Sequence, residues 1–196
     1  GGLSPQLEGE EMQVNFEGFR GGDRTSIELP STQREYISAL AATGKPVVFV
    51  NLSGSAVAMV SETKNCAAIL QAWYGGQQGG QAVADVLFGD YNPAGRLPVT
   101  FYASDSDLPD FGDYAMEGHT YRYFKGKPLF PFGHGLSYSE FSYGEAVLAD
   151  GVLSVPVTNV SKVDGDEVVQ VYLRRNDDEN GPLKSLRGFR RVHVKA

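Results

Sequence analysis

The residues best suited to chemistry stand near the start of the sequence. Leu7-Glu8-Gly9-Glu10-Glu11-Met12 places three carboxylates within four residues. Like charges that close raise one another's pKa, and burial under a partner domain raises it further. A carboxylic acid kept protonated near neutral pH can give its proton to a leaving group. The same run also suits a solvated acidic loop, and residue chemistry alone leaves both readings open. The serines are weaker candidates. Ser53 and Ser55 follow a strand-like run, in the outline of a nucleophile elbow, but an elbow needs glycine two before and two after its serine. Those positions hold Asn51 and Ser55 around Ser53, and Ser53 and Val57 around Ser55. The match fails, and helix N-capping is the expected role. Gly75-Gly76-Gln77-Gln78-Gly79-Gly80 lacks both the Lys-Ser/Thr pair of a phosphate loop and the Gly-x-Gly-x-x-Gly spacing of a dinucleotide fold. It reads as a structural turn.

Composition narrows the field further. Seventeen lysines and arginines against 24 carboxylates give a net charge of −7. A nucleic-acid binder needs a basic face to displace counterions from phosphates, so that class is excluded. The longest apolar runs, Pro46–Val50 and Ala67–Ala72, are strand-sized, far short of the ~20 residues of a membrane span. A single cysteine, Cys66, excludes an internal disulfide and a cysteine-based zinc site. His119, His134 and His193 are too dispersed for a histidine metal cluster, and no cofactor is called for.

The elements that position these residues follow from periodicity. Residues 1–28 read as a long, polar, glycine-rich loop, a length that is usually functional or disordered. Pro30 marks a helix start, and Tyr36, Ile37, Leu40 and Ala41 recur at helical spacing until Gly44. Lys45–Asn51 and Ala67–Trp73 read as strands buried on both faces. A short helix is expected over Gly54–Lys64, and another over Gly80–Phe88. Strands alternating with helices predict βαβ units and a mainly parallel sheet, with ligands beyond the carboxyl ends of its strands. Those ends are Asn51–Ser55 and Trp73–Gly80. Residues 102–139 form an aromatic, proline-rich connecting segment. From about residue 145 the period becomes two, in Leu153/Val155/Val157 and Val169/Val171/Leu173, predicting an antiparallel β-sandwich with only part of its ~100 residues present. The alternation is still running at Val192–Ala196, and Gly1–Pro5 carries no apolar signal core, so a piece of a longer protein is expected.

Several segments together resemble the C-terminal half of glycoside hydrolase family 3, the β-glucosidase and β-xylosidase family. They are Gly2–Met12, Gly22-Asp23-Arg24, Gly44–Val48, Trp73–Gly80, Ala84–Thr100, Tyr121-Arg122-Tyr123 and Pro131–Tyr138. Within them, Gly89–Thr100 and Phe132-Gly133-His134-Gly135-Leu136-Ser137-Tyr138 are the most specific. The resemblance implies an enzyme of three parts: a (β/α)8 barrel carrying an aspartate nucleophile, an α/β sandwich domain supplying the acid/base glutamate, and a fibronectin type III-like domain. On this reading residues 1–140 are the three-layer α/β sandwich, N-terminally truncated, and residues 141–196 are a partial immunoglobulin-like β-sandwich. Asp164–Tyr172 resembles a strand of that last domain. The barrel is absent from this sequence.

The resemblance places the acid/base residue in the variable loop before Gly-Asp-Arg, where Glu8 matches best and Glu10 is the runner-up. It implies a retaining, exo-acting β-glycosidase that removes terminal xylose or glucose from oligosaccharides without a cofactor. Its partners would be the oligosaccharide and the barrel of the same parent protein, in a periplasmic or secreted setting. Asp23 and Arg24 are expected to pair and anchor the loop. Arg96 is expected to serve the fold through backbone carbonyls or an acidic partner. Tyr121-Arg122-Tyr123 is expected to border the sugar pocket or pack against the barrel, while His134 and Trp73 are expected to be structural. A non-catalytic carbohydrate-binding or interaction module is the alternative, and an acyl hydrolase built on Ser53 or Ser55 is the poorest reading.

Overall fold

The computed structural model of the chain describes residues 15–196. They divide into two compact units. One holds the described residues up to Gly80 together with Val99–Pro131, and the other holds Gln81–Pro98 and Phe132–Ala196.

The first unit opens with a small antiparallel meander of β1 (Asn15–Phe16), β2 (Phe19–Arg20) and β3 (Asp23–Arg24). Helix α1 (Ser31–Ala41) follows, with Pro30 at its N-cap because a missing N–H costs nothing there. Of its apolar positions only Ile37 is buried. Strand β4 (Val48–Asn51) then pairs in parallel with β5 (Ala68–Gln71), in register Val48↔Ala68 through Asn51↔Gln71. Between them lies α2 (Val60–Asn65), shorter than the helix expected from Gly54. The residues before it are needed elsewhere: Ala58 bridges Glu28 in parallel, its N–H donating to Ile27 O at 2.8 Å. The core of this unit is Phe19, Leu29, Phe49, Val57, Met59 and Phe101. Burial of both strand faces is not met. Phe49 and Asn51 are buried, but Val48 is exposed and β5 is mostly half-buried, since within this unit only one face of so small a pair is covered.

Helix α3 (Gly79–Phe88) carries the chain from the first unit's residues into those of the second. A 3-10 turn at Asp105–Asp107 and the four-residue α4 (Thr120–Tyr123) break up the aromatic segment of the first unit. The remaining strands all lie in the second unit. They are β6 (Phe141–Tyr143), β7 (Val147–Ala149), β8 (Val152–Ser154), β9 (Val157–Asn159), β10 (Gly165–Leu173) and β11 (Ser185–Val194). Pairing is antiparallel throughout: β6 with β9, β7 with β8, and β10 with β11. The run through Leu153 and Val157 is two strands rather than one. Pro156 lacks the N–H that a continuous ladder would need, and the pair β7–β8 turns on Asp150-Gly151, both in the left-handed region.

Arg96 organises the second unit. Its Nη1 donates to Ala94 O (3.2 Å) and Gly95 O (3.1 Å), and its Nη2 to Glu167 Oε2 (2.7 Å). Glu167 Oε1 accepts from Tyr143 Oη at 2.7 Å, so strands β6 and β10 meet on one carboxylate. The expected structural role of Arg96 is therefore what its contacts perform. Asn92 is a second fastener: Nδ2 donates to Ser139 Oγ (2.8 Å) and Asp164 O (3.0 Å), while Oδ1 accepts from Ser137 Oγ (2.9 Å) and Tyr138 N (2.8 Å). The run Phe132–Gly135 pairs back on Leu97, whose N–H donates to His134 O and whose carbonyl accepts from Gly133 N, both at 2.8 Å. Its glycines are obligatory. A Cβ on Gly133, which sits at φ +81°, would stand 2.1 Å from Gln170 Oε1, and one on Gly135 would stand 2.0 Å from Gly95 O. Burial and then the Arg96 charge hold the His134 imidazole below its ordinary range, in keeping with a packed, neutral ring.

Burial, then the hydrogen bond and charge of Glu167, push the Tyr143 phenol from 10.0 up to about 12, against a small opposing effect of Arg96. A group with a raised folded-state pKa stabilises fully below its unfolded value. The Tyr143 contribution is thus complete below pH 10 and lost as pH rises through about 12. Glu167→Gln is expected to bring the phenol back toward 10.0, read by ultraviolet titration of tyrosinate. The Arg96 and Glu167 side chains are only 13% and 11% exposed. Arg96→Ala, which strands the carboxylate, is expected to cost about 3–5 kcal/mol in urea unfolding. An unchanged unfolding midpoint would show that the pair contributes nothing net.

Candidate functional site

In parallel α/β sheets ligands bind beyond the carboxyl ends of the strands, and in the first unit those ends are tied together by a buried polar knot. Asn51, the last residue of β4, donates through Nδ2 to Ser53 Oγ (2.9 Å) and to Gln71 Oε1 (2.6 Å) at the end of β5. Gln71 Nε2 donates back to Ser53 O at 3.2 Å. Ser53 Oγ donates to Ser55 O at 2.9 Å. Asn51 and Ser53 are fully buried, so each of these bonds replaces water that cannot reach them. The expected N-cap role of the serines is corrected here: α2 starts only at Val60, with Met59 at its N-cap. Nor is Ser53 activated as a nucleophile, since its hydroxyl proton is committed to a backbone carbonyl.

The Gly-Asp-Arg element reaches the same place. Arg24 Nη1, on β3, donates to Ser55 Oγ at 3.2 Å. Asp23 and Arg24 are consecutive strand residues whose side chains leave on opposite faces, which lets Arg24 reach across to Ser55. Glu8 and Glu10 lie outside the described residues.

Two backbone outliers border this edge. Trp73, just past β5, has φ +54°, and Thr120, opening α4, has φ +56°. Bulky and β-branched residues avoid this region, and each such residue costs on the order of 1–3 kcal/mol. Both are held by one dipeptide. The half-buried Trp73 ring meets Phe101 edge-on at 6.2 Å, and Thr120 N donates to Tyr102 Oη at 2.9 Å. Phe101 is itself fixed by two backbone bonds to Phe130, at 2.9 and 3.2 Å. Trp73 thus packs inward, as expected. In α4 the Arg122 guanidinium lies 5.7 Å from the Tyr123 ring centroid, so that part of the Tyr121-Arg122-Tyr123 segment is self-packed.

A separate cavity of about 310 Å³ in this unit is lined by Glu28, Arg34, Ser61, Glu62, Lys64 and Asn65 among others. Its charges balance, and Arg34 pairs with Glu28 at 2.5 Å. Of the segment that follows β4 only Ala58 lines it, and none of the residues just past β5 does. Among the described residues no group of three or more histidine, cysteine or carboxylate side chains is placed to hold a metal ion.

The sequence reading gives Asn51 and Gln71 no role of their own and does not single out Tyr102 or Thr120. Polar residues closing two strand-like runs are the signal that pointed to the first two; nothing local marks the others.

Two measurements follow. A fluorophosphonate probe is expected to leave Ser53 and Ser55 unlabelled, while Ser53→Ala costs about 1–3 kcal/mol by leaving a buried donor short of its acceptor. Labelling of either serine would restore the acyl-hydrolase reading. Burial, and secondarily the nearby Glu62 charge, push the Cys66 thiol up. Glu62→Gln is therefore expected to shift the pH profile of Cys66 alkylation to lower pH, and an unmoved profile would show that the Glu62 charge does not reach the sulfur.

Comparison with known proteins agrees with this arrangement. Residues 1–138 match the model of the glycosyl hydrolase family 3 C-terminal domain. Xylan 1,4-beta-xylosidase of Xylanibacter ruminicola is 60% identical over 100% of this chain and 23% of its own length. The periplasmic beta-glucosidase of Salmonella typhimurium is 41% identical over 88% of this chain and 25% of its own. The crystal structure of the Kluyveromyces marxianus beta-glucosidase in complex with glucose superposes with a TM-score of 0.78 at 36% identity, covering 89% of this chain and 23% of that one. The chain spans about a quarter of the length of these relatives. It belongs to glycosyl hydrolase family 3, as the C-terminal domain of that family.

Proposed function

We propose that this chain is the C-terminal part of a retaining, exo-acting β-glycosidase that releases terminal β-linked xylose or glucose from oligosaccharides. The observation that carries the reading is the Arg24–Ser55 bond, which brings the Gly-Asp-Arg strand to the carboxyl ends of the parallel pair. The acidic run Glu8–Glu11 precedes that strand in the sequence. The β-xylosidase and β-glucosidase relatives, several times longer than this chain, support the assignment to a larger glycosidase. Residues 1–140 are then a three-layer α/β sandwich domain, and residues 141–196 the first strands of a fibronectin type III-like domain. The active site is completed by an N-terminal (β/α)8 barrel of the same protein.

The chemistry divides between the two parts. A barrel aspartate attacks the anomeric carbon while Glu8 protonates the departing glycosidic oxygen, leaving a glycosyl ester on the aspartate. Glu8, now a carboxylate, deprotonates the water that cleaves this ester and regains its proton. Retention requires the two carboxyl groups to be about 5–5.5 Å apart. Proton transfer of this kind contributes typically ~10²–10⁴-fold, and it has nothing to act on without the nucleophile. The 196-residue chain alone is therefore expected to be inactive.

The test uses the intact parent enzyme carrying Glu8→Ala, assayed on aryl β-xylosides. Poor leaving groups are expected to lose far more rate than good ones, with azide restoring turnover as the glycosyl azide. Equal loss on both substrates, or none, removes Glu8 as the proton donor and makes Glu10 the next residue to test.

A further inference from the structure

We propose that Tyr74 is a sugar-stacking residue of the glycoside site, a fixed aromatic platform for a pyranose ring of the oligosaccharide. The inference rests on the glycosidase reading above and extends it to how substrate is held. Tyr74 is the third residue past β5, at the strand ends where such a sheet binds ligand. Its ring is 73% exposed.

Three features hold the ring out. Trp73 takes φ +54° with its indole edge-on to Phe101, a contact that anchors the backbone from which Tyr74 leaves. The chain opposite supplies a seat. A Cβ on Gly54, in the loop after β4, would stand 2.5 Å from Tyr74 Cε2 and 3.2 Å from Cζ, so the ring lies where any other residue at 54 would put its side chain. The loop behind it is closed tightly, since a Cβ on Gly75 would stand 2.9 Å from the Gly79 Cα, and Gly79 N donates to Gly76 O at 2.9 Å. The residue after the seat is Ser55, whose hydroxyl accepts from Arg24. A strained backbone, a glycine cleared for the ring and a braced loop together fix an aromatic side chain that buries little of itself. Backbone outliers cluster at ligand sites, and this one immediately precedes an exposed ring.

Pyranoses suit this surface. The C–H groups on one face of a β-linked sugar are apolar and electron-poor, matching the negative face of a phenol ring, while its hydroxyls remain free for polar neighbours. A stack of this kind is worth about 0.5–1.5 kcal/mol, roughly a 2- to 12-fold change in affinity. It binds ground state and transition state alike, so its loss is expected to raise KM and leave kcat nearly unchanged.

The experiment uses the parent enzyme in two backgrounds. Calorimetric titration of xylobiose into the Glu8→Gln enzyme reads binding without turnover, and steady-state kinetics on xylobiose read the Glu8-intact enzyme. Tyr74→Ala is expected to weaken binding and raise KM by roughly 2- to 12-fold at steady kcat. Tyr74→Trp is expected to retain both, and Gly54→Ala, which evicts the ring, to shift them in the same direction as Tyr74→Ala. If wild type hydrolyses xylobiose while Tyr74→Ala lowers only the thermal midpoint, the ring packs against the rest of the protein and the proposal falls alone. If the wild-type parent neither binds nor hydrolyses the saccharide, the glycosidase reading fails and takes the proposal with it.

Discussion

Two residues of the first unit hold backbone angles that L side chains avoid, and one dipeptide, Phe101-Tyr102, holds them both. Phe101 has no solvent exposure, and its main chain is paired on both sides with Phe130. Its ring receives Trp73, and the adjacent Tyr102 hydroxyl receives the Thr120 amide. Each strained residue begins a segment the sequence reading singled out: the glycine-rich loop at the end of β5, and the Tyr121-Arg122-Tyr123 turn, expected to border the sugar pocket or to pack against the barrel. Because Trp73 and Thr120 share this support, a change at Phe101 would reach both segments at once. Interiors packed to solid density transmit displacement in this way rather than absorbing it.

The second unit shows how recognisable motifs can be structural throughout. In Asn92-Pro93-Ala94-Gly95-Arg96 the asparagine amide makes four hydrogen bonds, and the guanidinium makes three. In Phe132–Tyr138 the glycines clear space for Gln170, Tyr172 and the Gly95 carbonyl. None of these residues is left with an idle group that chemistry requires. A motif can thus be specific because many close contacts constrain it at once, and here the constraint is a buried carboxylate joined to one arginine and one tyrosine. The acidic run at Glu8–Glu11 is the opposite case, with little local pattern and the chemical groups a glycosidase needs.

That contrast explains what was legible in the sequence. Helix α1, the parallel alternation of β4 and β5, helix α3 and the long strands β10 and β11 follow from Pro30, from β-branched runs and from period-two spacing, all local signals. The segment Gln81–Pro98 reads locally as helix and turn, yet it belongs with the strands after Phe132. The bonds of its Asn92 join residues 45 to 72 positions apart, and no periodicity records them. The start of α2 was missed for a related reason, since Ala58 is drawn into a bridge with Glu28. The serines illustrate the converse. The failed glycine spacing speaks against a nucleophile, but the place of Ser53 in the Asn51–Ser53–Gln71 knot depends on two strands lying side by side.

The cost of Trp73 bears on why the strand ends are built this way. A left-handed tryptophan costs on the order of 1–3 kcal/mol, and an edge-on contact with Phe101 returns only about 0.5–1.5 kcal/mol beyond its burial. Burial of a half-covered indole makes up much of the rest, so the turn is close to neutral for stability. An extended residue at 73 would let the chain run on along the line of β5 instead of turning out of the sheet there. What the left-handed turn secures is direction: indole inward, phenol outward over Gly54. A glycine at 73 would permit the same angle but give up the indole anchor and add freedom to the unfolded chain. The aromatic pair Trp73-Tyr74 therefore works as one device, in which the inward ring fixes the backbone and the fixed backbone aims the outward ring.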